Sequence, residues 1–233
     1  MRGPDTQTSD SPPRHAGNRT RSLWDDSLAR LAGAHHHLRR DGRAVALTFD
    51  DGPDPEFTPL VLDALACEGI SATFFFVGRH AIAHPELVRR TGAEGHQVGS
   101  HSESHAPVAH ARFKALTEDF RSGRASVEKV LDAPVKLFRP PQGRISAACA
   151  LALRYLSMEP WLWTLDPQDW RVGATPETIL RRLVTIAPGD VMVFHDGTAV
   201  PGPEVASDRS ATVAVLKGLG GLVRDRGLTF ATL

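Results

Sequence analysis

AVALTFDDGPDPEFTPLVLDALACEG, residues 44–69, reads as one strand, one turn and one helix. Residues 44–49 are a β-favouring apolar run. The DDGPDP that follows is built from Asp, Gly and Pro, the commonest turn residues. Thr58-Pro59 is an N-cap and N1 pair for a helix, and Gly69 is its stop signal. The unit then recurs. Strand-like runs appear at residues 71–77, 96–100, 135–139, 160–165, 190–195 and 228–233, with helical patterns over 84–95, 115–131, 146–156, 175–186 and 210–227. This alternation predicts an α/β fold of parallel strands covered by helices. Apolar runs such as ATFFFV suit strands buried on both faces. No G-x-G-x-x-G follows the first strand, so a dinucleotide fold has no support. A barrel or near-barrel is the expectation, with its chemistry at the C-terminal ends of the strands.

The chain has 233 residues, 41% hydrophobic and 23% charged, which is enough to bury a core. Lys+Arg and Asp+Glu balance at 27 each, arguing against a chain-wide attraction to nucleic acid or an anionic membrane. No run approaches the ~18 apolar residues of a membrane span, and no feature points to a protein partner. Residues 1–22 contain no Val, Ile, Leu or aromatic residue and are expected to be a disordered tail. They also lack the apolar stretch of a secretory signal, so the expected location of the chain as written is the cytoplasm. Residues 23–40 read as a short helical lead-in, with Trp24, Leu28 and Leu31 on one face and the His35–His37 tract at its end. The domain proper is expected over 41–233. Cys67 and Cys149 lack metal-site spacing and are expected to be buried thiols on helices.

The barrel expectation can be tested by where the polar residues fall. Asp50 and Asp51 end the first strand, and His101 and His105 follow the third. Arg139 ends the fourth, Asp166, Asp169 and Trp170 the fifth, and His195-Asp196 the sixth. A parallel barrel brings all of them to one rim. His101 and His105, four apart, share a face if the segment turns helically. With one carboxylate they form a set that holds a catalytic divalent metal and leaves positions open for water and substrate. Only one of Asp50 and Asp51 need be the ligand, leaving the other to accept a proton from the attacking water. A dication beside them relieves their repulsion. His195 is the candidate acid for a leaving group, and Arg139 can orient the base carboxylate.

TFDDG (48–52), HSESH (101–105), RPPQG (139–143), DPQDW (166–170) and VFH (193–195) together resemble the five motifs of the polysaccharide deacetylase family, the NodB-homology domains of carbohydrate esterase family 4. The resemblance implies a distorted (β/α)7 barrel that removes N- or O-acetyl groups from sugars with a divalent metal, zinc first, with cobalt, nickel or manganese as alternatives. It implies Asp50 as base, Asp51, His101 and His105 as metal ligands, and Ser102 as support for the metal loop. Arg139 would hold Asp50, Asp169 would tune His195 as the acid, and Trp170 would form an apolar wall. Pro140, Gln142, Gly143 and Phe194 would complete the substrate site, with a backbone N–H near Gln142 on the oxyanion. Gln142 stands where relatives often have Tyr, and Phe194 where Leu is usual. The implied partner is an acetylated carbohydrate, with a lean toward a small or intracellular amino sugar over wall peptidoglycan. Trp161 and Trp163 share a strand face and are expected in the core. Two other readings stay open: a hydrolase of a small non-sugar amide or O-acetyl ester, and a carbohydrate-binding relative without turnover.

Overall fold

The computed structural model describes residues 26–38 and 42–233. The tail expected over 1–22, Trp24 and the domain start at residue 41 lie outside the described residues. Fourteen of the described elements carry the fold. Chain order is β1 (Ala44–Asp50), α2 (Phe57–Glu68), β2 (Thr73–Phe76), α3 (Gly78–Ala83), α4 (Pro85–Ala93), β3 (Gln97–Ser100), α5 (Phe113–Leu131), β4 (Leu137–Phe138), α6 (Ala147–Tyr155), β5 (Glu159–Pro160), α7 (Pro176–Arg182), β6 (Val191–His195), α8 (Ser210–Asp225) and β7 (Thr229–Ala231), preceded by the lead-in helix α1 (Asp26–Ala32). Every strand pairing between them is parallel.

The sheet runs β5-β4-β3-β2-β1-β6, and β7 pairs with the first half of β1 on the edge that β2 occupies further along. It curls until Leu165, just past β5, meets Met192 of β6. Two bonds, Leu165 N–H to the Val191 carbonyl and Val193 N–H to the Leu165 carbonyl, at 3.1 and 3.0 Å, close that seam. The result is the expected distorted barrel.

Residues 160–165 do not form the long strand that their composition suggests. Only Glu159–Pro160 ladder with β4, Trp161 then pairs with His35, and Leu165 with Met192. The cause lies inside the barrel. The Trp161 and Leu162 carbonyls accept from the Arg139 guanidinium at 3.0 and 3.2 Å, so they are spent on a side chain rather than on a ladder.

Period-two alternation divides β1 cleanly. Val45, Leu47 and Phe49 pack under the helices with Phe74, Phe76, Met192 and Phe194. Ala46 packs inside the barrel with Phe75 and Val191. Above it Thr48 and Asp50 are buried, so the interior becomes more polar toward the rim. The same alternation decides which way Phe194 faces. Phe194 is fully buried against Phe49 on the helix side, not in an acetyl pocket, because its neighbours Val193 and His195 are the ones that line the cavity. Phe194→Leu is therefore expected to cost about 1 kcal/mol of stability while leaving kcat unchanged, measured by urea denaturation beside an acetate-release assay.

Thr58 is not the cap of α2. Glu56 holds the cap position with no side-chain cap bond, and Asp54, two residues before it, accepts at Oδ1 from the Glu56 and Phe57 N–H groups at 2.9 Å each. Cys149 is buried on α6, and burial pushes its thiol up to about 12. Cys67 is exposed, which corrects the expectation of two buried thiols. On α2 the inward positions are Val61, Leu62 and Leu65, and residue 67 falls on the outer face. His35 lies beyond the end of α1 and stacks on Trp161 at 4.8 Å. Trp161 is core, whereas Trp163 packs against that core and also lines the cavity. No helix among the described residues is long and apolar enough to cross a membrane.

Candidate active site

A cavity of about 880 Å³ opens at the rim where the strands end. Asp50 is the last residue of β1, buried, and its Oδ1 accepts from Arg139 Nη1 at 2.8 Å. The same Nη1 donates to Thr48 Oγ1 at 2.7 Å. Arg139 is fully buried, with its guanidinium 4.2 Å from the Phe75 ring centroid, and burial lowers its pKa against the pull of Asp50. Fork geometry lets one side chain bond a carboxylate, a hydroxyl and two carbonyls at once, which an ammonium cannot do.

Asp51 breaks from the strand with a left-handed φ of 76°. That turn is what brings two consecutive side chains to the same cavity, where a continuing strand would send them to opposite sides. Gly52 follows because a Cβ there would overlap the carboxylate of the buried Asp196. Asp51 Oδ1 lies 3.6 Å from His101 Nε2 and 3.4 Å from His105 Nε2. One donor atom from each of these three residues fits within 4.8 Å of the others.

His101 Nδ1 donates to the Arg139 carbonyl at 2.6 Å, because a carbonyl can only accept. The proton therefore sits on Nδ1 and Nε2 faces Asp51 with a lone pair. Burial, then the neighbouring His105, pushes His101 down to about 3, so the ring is neutral. Ser102 and His105 have left-handed φ of 65° and 56°, and Ser102 Oγ accepts the His105 N–H at 2.9 Å. The segment is thus a folded loop rather than the helical turn that the spacing suggested. Behind it a Cβ on Gly123 of α5 would overlap the Ser102 and Glu103 backbone. The set of two imidazole nitrogens and one carboxylate oxygen fits a divalent metal such as zinc and leaves coordination positions open.

On the other side, His195 Nδ1 donates to Asp169 Oδ1 at 2.9 Å, and Asp169 Oδ2 accepts from the His195 N–H and from Thr212 Oγ1 at 2.9 and 2.8 Å. Burial works against the charge on His195, but Asp169 outweighs it, with Asp51 and Asp50 adding, and the ring is raised to about 9. For Asp169, burial alone would raise the carboxyl; the His195 charge and hydrogen bonds overcome this and lower it. The partner of the acid candidate is therefore Asp169 and not its sequence neighbour Asp196, which burial holds up at about 7.

Linkage gives a measurable consequence. A histidine raised from 6.5 to about 9 contributes stability that is fully present below pH 6.5 and is lost as pH rises through about 9. In metal-free protein, the urea stability of wild type over His195→Gln is expected to be largest near pH 6 and to shrink above pH 9. A pH-independent difference would show that the ion pair is not its source.

The turn after β4 supplies Gln142, which lines the cavity with a φ of 56°. Pro140 and Pro141 have no N–H, and the Gly143 N–H is taken by the Pro140 carbonyl at 2.8 Å. Gln142 has the remaining backbone donor of that turn. Pro140 and Gly143 are buried and shape the turn rather than line the cavity. Trp170 lines the cavity, as does Asp166.

Some contributors carry no sequence signal. His80, on the unforeseen α3, donates from Nδ1 to the Asp51 carbonyl at 2.9 Å. Val200, Pro201 and Val205 from the loop after β6 form one cavity wall, and Ala29 of α1 adds to the lining. Arg79 braces that loop through the Ala199 carbonyl at 2.7 Å.

The family model for polysaccharide deacetylase matches residues 37–161. The chain belongs to the polysaccharide deacetylase family. It is 36% identical over 196 residues to a peptidoglycan-N-acetylglucosamine deacetylase of Bacillus cereus, covering 82% of this chain and 86% of that one. It is 35% identical over 195 residues to a chitooligosaccharide deacetylase of Sinorhizobium fredii, covering 82% and 90%. A crystal structure of a peptidoglycan N-acetylglucosamine deacetylase, bound to 4-naphthalen-1-yl-N-oxidanyl-benzamide, superposes with a TM-score of 0.81 at 28% identity, covering 89% of this chain and 94% of that one. Membership of the polysaccharide deacetylases agrees with the motif resemblance, and the NodB-type barrel with the observed sheet.

Proposed function

We propose that this chain is a metal-dependent hydrolase that removes the N-acetyl group from an amino sugar within an oligosaccharide or polysaccharide. One observation carries the reading: a single cavity holds the Asp51–His101–His105 set with Asp50–Arg139 on one side and His195–Asp169 on the other. The named activities of the Bacillus and Sinorhizobium relatives support the substrate class.

Asp51, His101 and His105 would hold the metal, for which zinc is the first choice. When bound, a divalent ion supplies Lewis-acid polarisation and makes nearby water more acidic. Asp50, clamped by Arg139, takes the proton of the water that attacks the acetyl carbonyl. The Gln142 N–H would share the charge that develops on the carbonyl oxygen. His195, protonated on both nitrogens, then gives its Nε2 proton to the departing sugar nitrogen as the C–N bond breaks. Acetate and the amine leave. Asp169 keeps the ring oriented throughout and holds it charged until that proton is given up.

Acetate release from N-acetylated chitooligosaccharides is the test. It is expected to vanish on chelation and to return with zinc, cobalt, nickel or manganese. Binding of the oligosaccharide without acetate release under every metal would overturn the reading in favour of a binding module.

A further inference from the structure

Asp51 lies in the turn after β1, whereas His101 and His105 lie in the loop after β3, so the spacing of the metal set depends on what joins the two loops. Residues 77–80, which lead from β2 into α3, bond to both. Val77 N–H donates to the Gly52 carbonyl at 2.9 Å, and His80 Nδ1 donates to the Asp51 carbonyl at 2.9 Å. Gly78 N–H and Arg79 N–H donate to the Ser102 and Glu103 carbonyls at 2.9 and 3.2 Å. The approach is close, since a Cβ on Gly78 would come within 2.8 Å of the Gly123 Cα behind that loop. Four consecutive residues thus tie the carboxylate half of the set to its imidazole half.

Three of those bonds come from backbone N–H groups, which any residue except proline supplies. The fourth needs a particular side chain. Asp51 has a φ of 76°, a conformation that is costly without glycine and persists only where its surroundings fix it. The carbonyls on either side are held by backbone, Asp50 from the Asp196 N–H at 3.2 Å and Gly52 from Val77. At Asp51 itself the donor is the His80 ring. The Gly197 backbone confines the same group, because a Cβ there would come within 3.0 Å of the Asp51 carbonyl oxygen. The ψ of a residue sets its carbonyl relative to its Cβ, so a donor that fixes the carbonyl also aims the carboxylate. Ligand atoms need to sit within about 0.2 Å of their proper distances from a metal. A small turn of Asp51 is therefore enough to spoil the set.

We infer that His80 is a positioning residue of the metal set, whose Nδ1–H holds the Asp51 turn and keeps its carboxylate in register with His101 and His105. It belongs neither to the ligand set nor to the cavity lining, so it acts through Asp51. This rests on the metal-dependent hydrolase reading above and names a residue on which its metal depends. Two substitutions divide the ring's functions. Asn at 80 places its amide nitrogen where Nδ1 is and keeps the donor for Asp51. Gln places its amide where Nε2 is, which meets Arg79 Nε at 3.4 Å, and leaves the Asp51 carbonyl without that donor.

The experiment measures the zinc dissociation constant of the folded full chain by chelator competition, beside the urea stability of the metal-free protein. His80→Gln is expected to weaken zinc binding by about 10- to 100-fold, the usual effect of losing an outer-shell partner. His80→Asn is expected to bind zinc nearly as wild type does. The visible absorption of the cobalt-loaded protein is expected to change with Gln and to match wild type with Asn. A purely structural role would lower the urea stability and leave zinc affinity and the cobalt spectrum as they are. His80→Phe, which keeps a ring and removes both bonds, replaces the Gln variant if that one does not fold. Zinc affinity unchanged by Gln, or lost as much with Asn as with Gln, overturns the inference and leaves the hydrolase reading standing. A wild type that binds no divalent ion overturns both.

Discussion

Asp50→Asn is expected to lower the rate of acetate release by about 100- to 10,000-fold while leaving metal content unchanged. The magnitude is that of a general base removed from an otherwise intact site. Asn has the shape of Asp, and its carbonyl oxygen can still accept from Arg139 Nη1, which now bonds Asp50 Oδ1 at 2.8 Å. What it lacks is basicity. The metal set does not include Asp50, whose Oδ2 lies 3.9 Å from His101 Nε2, outside the closer Asp51 contacts. Loss of rate with metal retained, measured by elemental analysis of the purified variant, separates the two neighbouring aspartates by role. Asp51→Asn should show the reverse order of events, with metal lost first and rate following. If Asp50→Asn lost metal as readily as Asp51→Asn, the assignment of one base and one ligand would be wrong.

That division of labour was partly legible in the sequence. Five polar clusters at the ends of five strand-like runs place the site at one rim, and period-two alternation makes each rim a matter of counting. The side of Phe194 was legible by the same count, since a residue next to His195 on a strand faces away from it. The loops were not legible in this way. Asp51, Ser102, His105, Gln142 and Gln168 all have left-handed φ, and none is glycine. Composition gives no sign of that conformation in a non-glycine residue, because it depends on partners distant in the chain. Asp51 is held through His80, which is 29 residues away and lies on a short helix with no periodic signal. Residues 160–165 show the converse. Their β propensity is strong, and a buried guanidinium from residue 139 overrides it by claiming two carbonyls.

Arg139→Met is expected to be the most destabilising single change at the site, by about 3–5 kcal/mol in metal-free protein, because it strands Asp50 in the barrel interior without its counter-charge. For a chain of this size that corresponds to a fall in Tm of about 6–20 °C. Four hydrogen bonds go with the guanidinium, to Asp50, Thr48 and the Trp161 and Leu162 carbonyls. The two carbonyls hold the place where the chain leaves β5 to close the barrel, so the loss reaches beyond the site. Arg139→Lys should recover only part of it, since three donors on a flexible stem cannot meet four acceptors set by a planar fork. The double variant Arg139→Met, Asp50→Asn separates charge from scaffold. If the stranded carboxylate is the main cost, the double variant is more stable than the sum of the two single losses allows, and the coupling in the cycle is large. If instead the two losses add, the arginine is there to tie the chain at Trp161 and Leu162, and its bond to Asp50 is incidental to stability.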